Sequence, residues 1–474
     1  MKNRKLLIAG MIGLLVYILY FFMPGNYEYP LGEPDPKGLY DEVNEVLIEE
    51  NMQPLDIDPL FSTQVEANES IGRYIDHHRL NQAEVDQLSE DIPLYSFMIE
   101  TGWRSIEYDP VHKALVSLDD IAIQVDDVIN EYGSLNNYLN AFYDEAFTLY
   151  EEDMGTSRFV APSTYEGIHK YVDVFIDDGV IRSIYFTAEA EDFPTKSQFG
   201  ILLIAGIYSL LFFLALSVGV TVHAILVRKE IRFSWLALLL SLVAGAANII
   251  LTMGMLGIDF SFLTAIDAFI WMYNTFLILL IRFRHRGAYT INELLLKVKD
   301  GVKPALLWGL VSLALTTTYF FVTTRFFGSW VSPVDSYALA YNMKAWMIPL
   351  VVFAIGFSAA IFEETIFRHY MVPLFDRFSV IVSMFATSIL WGVLHISYDM
   401  YPWYLYIVEF IIITGPLFYV VYKRYGFTTS ILLHYFYNAW VMTLFAFAID
   451  LKIGLVSLLV MLFPVLALFV RPKA

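Results

Sequence analysis

Ten long apolar runs punctuate the chain. The first extends from Leu6 to Met23, and nine more occupy 199–227, 233–257, 260–281, 305–323, 345–371, 379–398, 403–421, 427–449 and 453–470. A helix needs about 20 predominantly apolar residues to cross the hydrocarbon core of a bilayer. The pattern therefore predicts ten transmembrane helices. Alternating them gathers Arg228-Lys229, Arg282/Arg284/Arg286, Lys297/Lys299/Lys303, Arg377, Lys423-Arg424 and Arg471/Lys473 on one side. Lys and Arg accumulate in cytoplasmic loops, so that side is the cytoplasm and both ends lie there. Met1-Lys2-Asn3-Arg4-Lys5 precedes the first run and no small-x-small site follows it. This predicts an uncleaved anchor over 1–24 rather than a secretory signal.

Residues 25–197, between the first two runs, follow another pattern. Helical spacing recurs over 37–52, 77–91 and 134–152, whereas Tyr171 to Phe186 alternates around Asp177-Asp178-Gly179, a hairpin signal. An extracytoplasmic α+β domain, inserted after the first helix and tethered through the Pro- and Gly-rich stretch Pro24 to Pro36, is expected. The rest divides into transmembrane helices over 198–304 and a helical core with a C-terminal helix over 305–474. Within the former, the amphipathic stretch 288–303 is expected to lie along the cytoplasmic interface. The fold class is thus an all-α polytopic membrane protein with an acidic outer domain. No internal repeat stands out.

Composition sharpens this picture. Of 474 residues, 57% are hydrophobic and only 17% charged, against about 25% charged in average soluble domains. Between Gly25 and Lys196 there are 37 Asp/Glu against 9 Lys/Arg, a net of −28. The whole chain is −19, which leaves +9 elsewhere. The outer domain's charge argues against nucleic acid and anionic head groups as its partners. The absence of Cys excludes disulfides, thiolate metal sites, palmitoylation and a prenylation box.

Three polar clusters interrupt the last apolar runs: Glu363-Glu364-Thr365-Ile366-Phe367-Arg368, Trp391-Gly392-Val393-Leu394-His395 and His434-Tyr435-Phe436-Tyr437-Asn438. Ionisable groups in a bilayer cost roughly 2.5–3.5 kcal/mol each on insertion scales and mark functional sites. Residues four apart share a helix face, so Glu364 pairs with Arg368 while Glu363 points about 100° away as a general base. His434 and Asn438 share a face and can hold a developing oxyanion. Glu363 with His395 can deprotonate water. The alternative is a divalent metal such as zinc held by Glu363, His395 and His434, although the His-Glu-x-x-His signature is absent. Asp267, Glu409 and Asn248 also lie in apolar runs, where pairing with another helix is the expected role. Gly415-Pro416 is expected to kink its helix. Hydropathy places Glu363 and His434 toward the inner side and His395 toward the outer. The three can converge only if helices tilt or the sixth span runs longer.

The order Glu-Glu-x-x-x-Arg, aromatic-x-x-x-His, His-x-x-x-Asn resembles the CPBP family, the CAAX-protease and bacteriocin-processing (ABI) intramembrane proteins. The flanks Ala386-Thr387-Ser388-Ile389-Leu390 and Thr428-Thr429-Ser430-Ile431-Leu432-Leu433 fit as well. The likeness covers 345–445. It implies an intramembrane endopeptidase, glutamate-type or metal-dependent. In it Glu363 and His395 activate water, and His434 with Asn438 forms the oxyanion hole. Two positions depart: Trp391 stands where the family usually has Phe, and His369 where it usually has Gly. The resemblance points to a multi-pass protein of a bacterial plasma membrane acting on membrane-anchored proteins or peptide precursors. A catalytically silent scaffold or sensor is the competing reading, disfavoured because every motif residue is present. A transporter would predict inverted repeats.

Overall fold

The computed structural model describes residues 2–21, 36–49, 52, 54–55, 63–78, 80–100, 105–119, 121–153, 155–162, 165–193, 199–255, 262–284, 291–327, 329–331, 347–396 and 400–469. Two units emerge. One occupies Pro24–Lys196; the other combines Met1–Met23, Ser197–Val331 and Lys344–Ala474. The first apolar run forms α1 (Lys2–Phe21), and the expected linker lies outside the described residues.

The acidic unit carries α2 (Pro36–Glu49), α3 (Glu69–His78), α4 (Gln82–Ser89), α5 (Val125–Tyr132) and α6 (Leu135–Tyr143). Its strands are β1 (Thr63–Ala67), β2 (Tyr95–Glu100), β3 (Ser105–Asp109), β4 (Ala114–Leu118), β5 (Ile123–Gln124), β6 (Thr148–Asp153), β7 (Thr156–Pro162), β8 (Ile168–Asp177) and β9 (Val180–Ala190). They form one antiparallel sheet in the order β1-β2-β3-β4-β9-β8-β7-β6, with β5 also on β9. Alternation sets the faces: Ile168, Lys170, Val172 and Val174 of β8 are buried, the residues between them half-buried. The buried Lys170 ammonium is balanced by Asp91 at 2.9 Å and by Glu145. The hairpin signal is realised, since Asp177 pairs with Val180 around Asp178 (φ 49°) and Gly179 (φ 75°). Both turn residues occupy the left-handed region that a two-residue hairpin loop requires.

Two helical expectations here need correction. The 77–91 stretch is broken at Asn81, which starts α4 in a capping box with Glu84. Two orphan donors satisfied at once make that break stable. In 134–152 only α6 is helical; Asp144 (φ 53°) ends it, and Thr148–Asp153 joins the sheet against β7.

The helical unit continues with α7 (Phe199–Leu226), α8 (Trp235–Met255), α9 (Phe262–Phe283), α10 (Ile291–Phe327), α11 (Ile348–Phe375), α12 (Val380–Val393), α13 (Tyr404–Tyr425), α14 (Phe427–Ile449) and α15 (Leu451–Met461). A two-residue strand pair joins Trp330–Val331 to Met400–Tyr401. Helices satisfy their own backbone hydrogen bonds, the condition for crossing lipid. Among the described residues, six (α7, α9, α10, α11, α13 and α14) are long and apolar enough to cross. A seventh span is completed if α15 and the segment Phe463–Phe469, bent by 47°, count as one. The other runs give the shorter apolar stretches Leu7–Val16, Trp235–Leu251 and Val380–Val393. The count is therefore six to seven candidate spans where hydropathy predicted ten. The run 379–398 illustrates the cause: its helix has 14 residues and gives way to a turn at Leu394–Ile396. That is about 21 Å of helix, against a hydrocarbon core of ~30 Å.

Two helices are longer than their apolar runs. The interfacial stretch and the fifth span are one 37-residue helix, α10, which passes through Pro304. The helix α11 runs 28 residues to Phe375, so Glu363 sits near its middle rather than near an end.

Asp109 of β3 is buried, and its carboxylate accepts from His112 Nδ1 while His112 Nε2 donates to the Glu90 carbonyl at 2.9 Å. With both ring nitrogens donating, the imidazole is held as the cation. The hydrogen bond to Asp109 outweighs burial and raises the His112 pKa above its ordinary 6.5. The resulting stability is fully present below pH 6.5 and lost as pH rises through the raised folded value. Partial exposure limits it to about 0.5–1 kcal/mol. The thermal stability of the acidic unit within the full-length protein should fall as pH rises above about 6.5 and through the raised folded value, and His112→Gln should flatten that dependence. A wild-type profile already flat over this interval contradicts the assignment.

Candidate active site

From Glu364 to Met371, α11 widens into a π-helical segment. Such segments are rare and frequently mark functional sites. Within it Glu364, Thr365, Ile366, Phe367 and Arg368 are all buried. The Glu364 carboxylate has three partners. Its Oε1 lies 3.4 Å from Arg368 Nη1 and 3.2 Å from His434 Nδ1, and its Oε2 accepts from the Ser430 hydroxyl. Relative side-chain exposure is 0% for Glu364 and 1% for Arg368. The Arg368 guanidinium also lies over the Trp391 ring, 4.0 Å from its centroid, and 5.3 Å from that of Phe418. Cation–π contacts gain strength in such dry surroundings.

Glu363 is placed differently. Its side chain is 14% exposed. Trp391 Nε1 donates to Oε2, and His434 Nε2 lies 3.9 Å from the same oxygen. His434 thus stands between the two carboxylates, with one ring nitrogen toward each. When Nδ1 donates to Glu364, the Nε2 lone pair faces Glu363. Only a proton, or a hydrogen of water, can make that approach attractive.

His395 lies in the turn after α12. Its Nδ1 donates to the Trp391 carbonyl at 2.9 Å, which fixes the tautomer and leaves Nε2 an acceptor in the neutral ring. The ring stacks on Phe410 (centroids 4.3 Å apart) and meets Trp391 edge-on. Glu363, His434 and Arg368 all lie within its electrostatic reach. Asn438, one turn beyond His434 on α14, is not brought to Glu363. Its amide makes a long 3.4 Å hydrogen bond to the Ile355 carbonyl, two turns earlier on α11.

Close helix approaches hold these groups together. A Cβ on Gly356 of α11 would fall 2.5 Å from the Tyr435 ring, and one on Gly415 of α13 only 2.1 Å from Ser388 Oγ of α12. The Gly415-Pro416 pair follows a second π-helical segment, Phe410–Thr414, within the single candidate span Tyr404–Tyr425. The other charged and amide residues singled out in the apolar runs find partners. Glu409 accepts from Thr414 and, across to α10, from Thr316 at 2.8 Å; Asn248 donates to Asp267 at 2.7 Å. His369 stacks on Phe427 at 4.1 Å.

Sequence reasoning missed two members. Ser430 lies four residues before His434, a readable same-face spacing. Trp391 differs from the family's usual Phe in the one atom that matters, the indole N–H that reaches Glu363. As for a metal, no group of three or more His, Asp or Glu side chains is arranged to hold one among the described residues. In both histidines Nδ1 is committed to another acceptor, so the zinc set of Glu363, His395 and His434 would have to bind through the two Nε2 atoms and the carboxylate.

Residues 345–440 match the family of type II CAAX prenyl endopeptidase Rce1-like proteins. About a fifth of the chain therefore carries an Rce1-like domain, consistent with the CPBP/CAAX protease family, and that domain supports intramembrane endopeptidase activity in general. No significant match was found among curated proteins or solved structures.

Removing one partner of a buried ion pair leaves an uncompensated charge, at a cost of about 3–5 kcal/mol. Arg368→Met should lower thermal stability in detergent by an amount of that order. Adding Glu364→Gln should recover most of the loss. Failure of the double variant to recover would mean that packing, not charge, dominates.

Proposed function

We propose that this chain is an intramembrane endopeptidase in which Glu363 activates the hydrolytic water. The observation that carries the reading is the asymmetry of two adjacent carboxylates: Glu364 is sealed by Arg368, His434 and Ser430, while Glu363 keeps some exposure and, among the described residues, a single hydrogen-bond donor, Trp391. Trp391 occupies Oε2, so Oε1 receives the water. As the water oxygen bonds to the scissile carbonyl carbon, Glu363 takes its proton. That proton is then shared with His434 Nε2, 3.9 Å away. A protonated His434 becomes a donor when the oxyanion forms, and Asn438 supplies a second donor by leaving its long bond to Ile355. Collapse of the tetrahedral intermediate breaks the C–N bond, and the proton passes to the leaving amine. His395 orients the water through Nε2.

The chain sits in this reading in a bacterial plasma membrane, with residues 25–197 outside the cytoplasm and the shorter apolar helices completing the crossings. Membrane-anchored proteins or peptide precursors are the substrates. Support comes from the one-sided Lys/Arg distribution and the Rce1-like domain.

General-base catalysis contributes roughly 10²–10⁴-fold. Glu363→Gln should reduce proteolysis by that factor with little change in thermal stability, and Asn438→Ala should cost about 10²–10³-fold if the amide stabilises the oxyanion. The test compares membrane and secreted peptidomes of cells carrying wild type or Glu363→Gln at matched protein levels. Precursors that persist only with the variant identify the substrate. Indistinguishable peptidomes, with full rescue of a deletion phenotype by the variant, would replace the protease with a scaffold.

A further inference from the structure

One end of the helical unit concentrates cations that the hydrolytic site does not use. His223, near the end of α7, places Nδ1 3.2 Å from the Tyr370 hydroxyl of α11 and Nε2 3.5 Å from Arg284 Nη1, just beyond α9. Arg282 and Arg377 lie within electrostatic reach of the same imidazole. Among the described residues, the carboxylate paired with this group is Glu230, at 3.1 Å from Arg284 Nε and itself half exposed. Asp376, the nearest in sequence to Arg377, is taken by Lys423 at 2.7 Å and the Tyr419 hydroxyl at 2.9 Å. Arg282 and Arg377 add two guanidiniums with no ion pair among the described residues.

A solvated loop arginine needs no counter-ion, but Arg282 is not one. It is half-buried, its Nε is shut off from solvent without an acceptor among the described residues, and its guanidinium has only the neutral phenol of Tyr422 as a hydrogen-bond partner among them. Guanidinium forks match the oxygens of phosphate, and Tyr370 adds a hydroxyl donor. The group lies where α7, α9, α11 and α13 all end, the level at which spanning helices meet lipid head groups. We propose that Arg282, Arg284 and Arg377, around His223 and Tyr370, form a binding site for a phosphate group. At this depth an anionic phospholipid is the natural source, soluble phosphate the other. Tyr370 lies on the helix that carries Glu363, so occupancy stiffens the far end of that helix. The proposal is independent of the proteolytic reading, because its readouts are binding and stability.

The test uses the full-length protein in phosphatidylcholine nanodiscs with or without phosphatidylglycerol, and separately with inorganic phosphate. Thermal unfolding and bound phospholipid, by native mass spectrometry, are read for wild type, Arg282→Gln/Arg377→Gln and the charge-preserving Arg282→Lys. Phosphatidylglycerol should raise the unfolding temperature and remain bound to wild type and Arg282→Lys. The double variant should bind it roughly ten-fold more weakly. A response to inorganic phosphate alone, lost in the double variant, upholds the site with a soluble source. Equal responses of wild type and double variant, or a response to neither phosphate form, overturn the proposal. Arg377 is exposed, so Arg377→Gln alone keeps the comparison interpretable if the double variant misfolds.

Discussion

The pairing of Glu364 with Arg368 is the constraint on which the helical core rests. Neither charge is tolerable alone among apolar helices, and each is fully buried. Their mutual attraction is not enough: a buried pair stays favourable only when its remaining lone pairs and N–H groups are satisfied. Ser430 and His434 of α14 complete the carboxylate; the guanidinium, whose Nε and Nη1 have no hydrogen-bond acceptor among the described residues, is compensated by the Glu364 charge and by the ring faces of Trp391 and Phe418. The same contacts clamp α11, α12, α13 and α14 around one point. Electrostatic compensation and helix packing are therefore a single requirement here.

That requirement also explains why two adjacent glutamates behave so differently. Burying Glu364 completely commits the nearby cation, so among the described residues Glu363 keeps the Trp391 indole and the approach of His434. Two carboxylates and one guanidinium leave a deficit of one positive charge in a low-dielectric site. In the proposed mechanism the proton that Glu363 takes from water, shared with His434, makes up that charge.

Much of this was legible in the sequence because charge in an apolar run stands out. Glu363, Glu364, Arg368, His395 and His434 announce themselves, and i,i+4 spacing gives the Glu364–Arg368 pair directly. The Asp178-Gly179 turn was equally plain. Depth and termination were not. Hydropathy cannot say where a helix stops, so the end of α11 at Phe375, the shortness of α12 and the fusion of 288–303 with the next span were invisible. In the acidic unit, Asn81 starts one helix and Asp144 ends another through local hydrogen bonds and φ values that a periodicity count ignores. Asn438 shows the limit of facing arguments: sharing a side with His434 fixes direction but not partner, and its amide reaches Ile355 instead.

The π-helical turn after Glu363 has a bearing on how this chain can vary. A helix advances about 100° per residue. Inserting or deleting one residue between Glu364 and Met371 would swing everything beyond it, including Tyr370, to another face of α11. Loops such as Arg228–Arg232 carry no such phase. Length changes among descendants of this sequence should therefore collect in the connections and be excluded from that one turn, whatever residues occupy it.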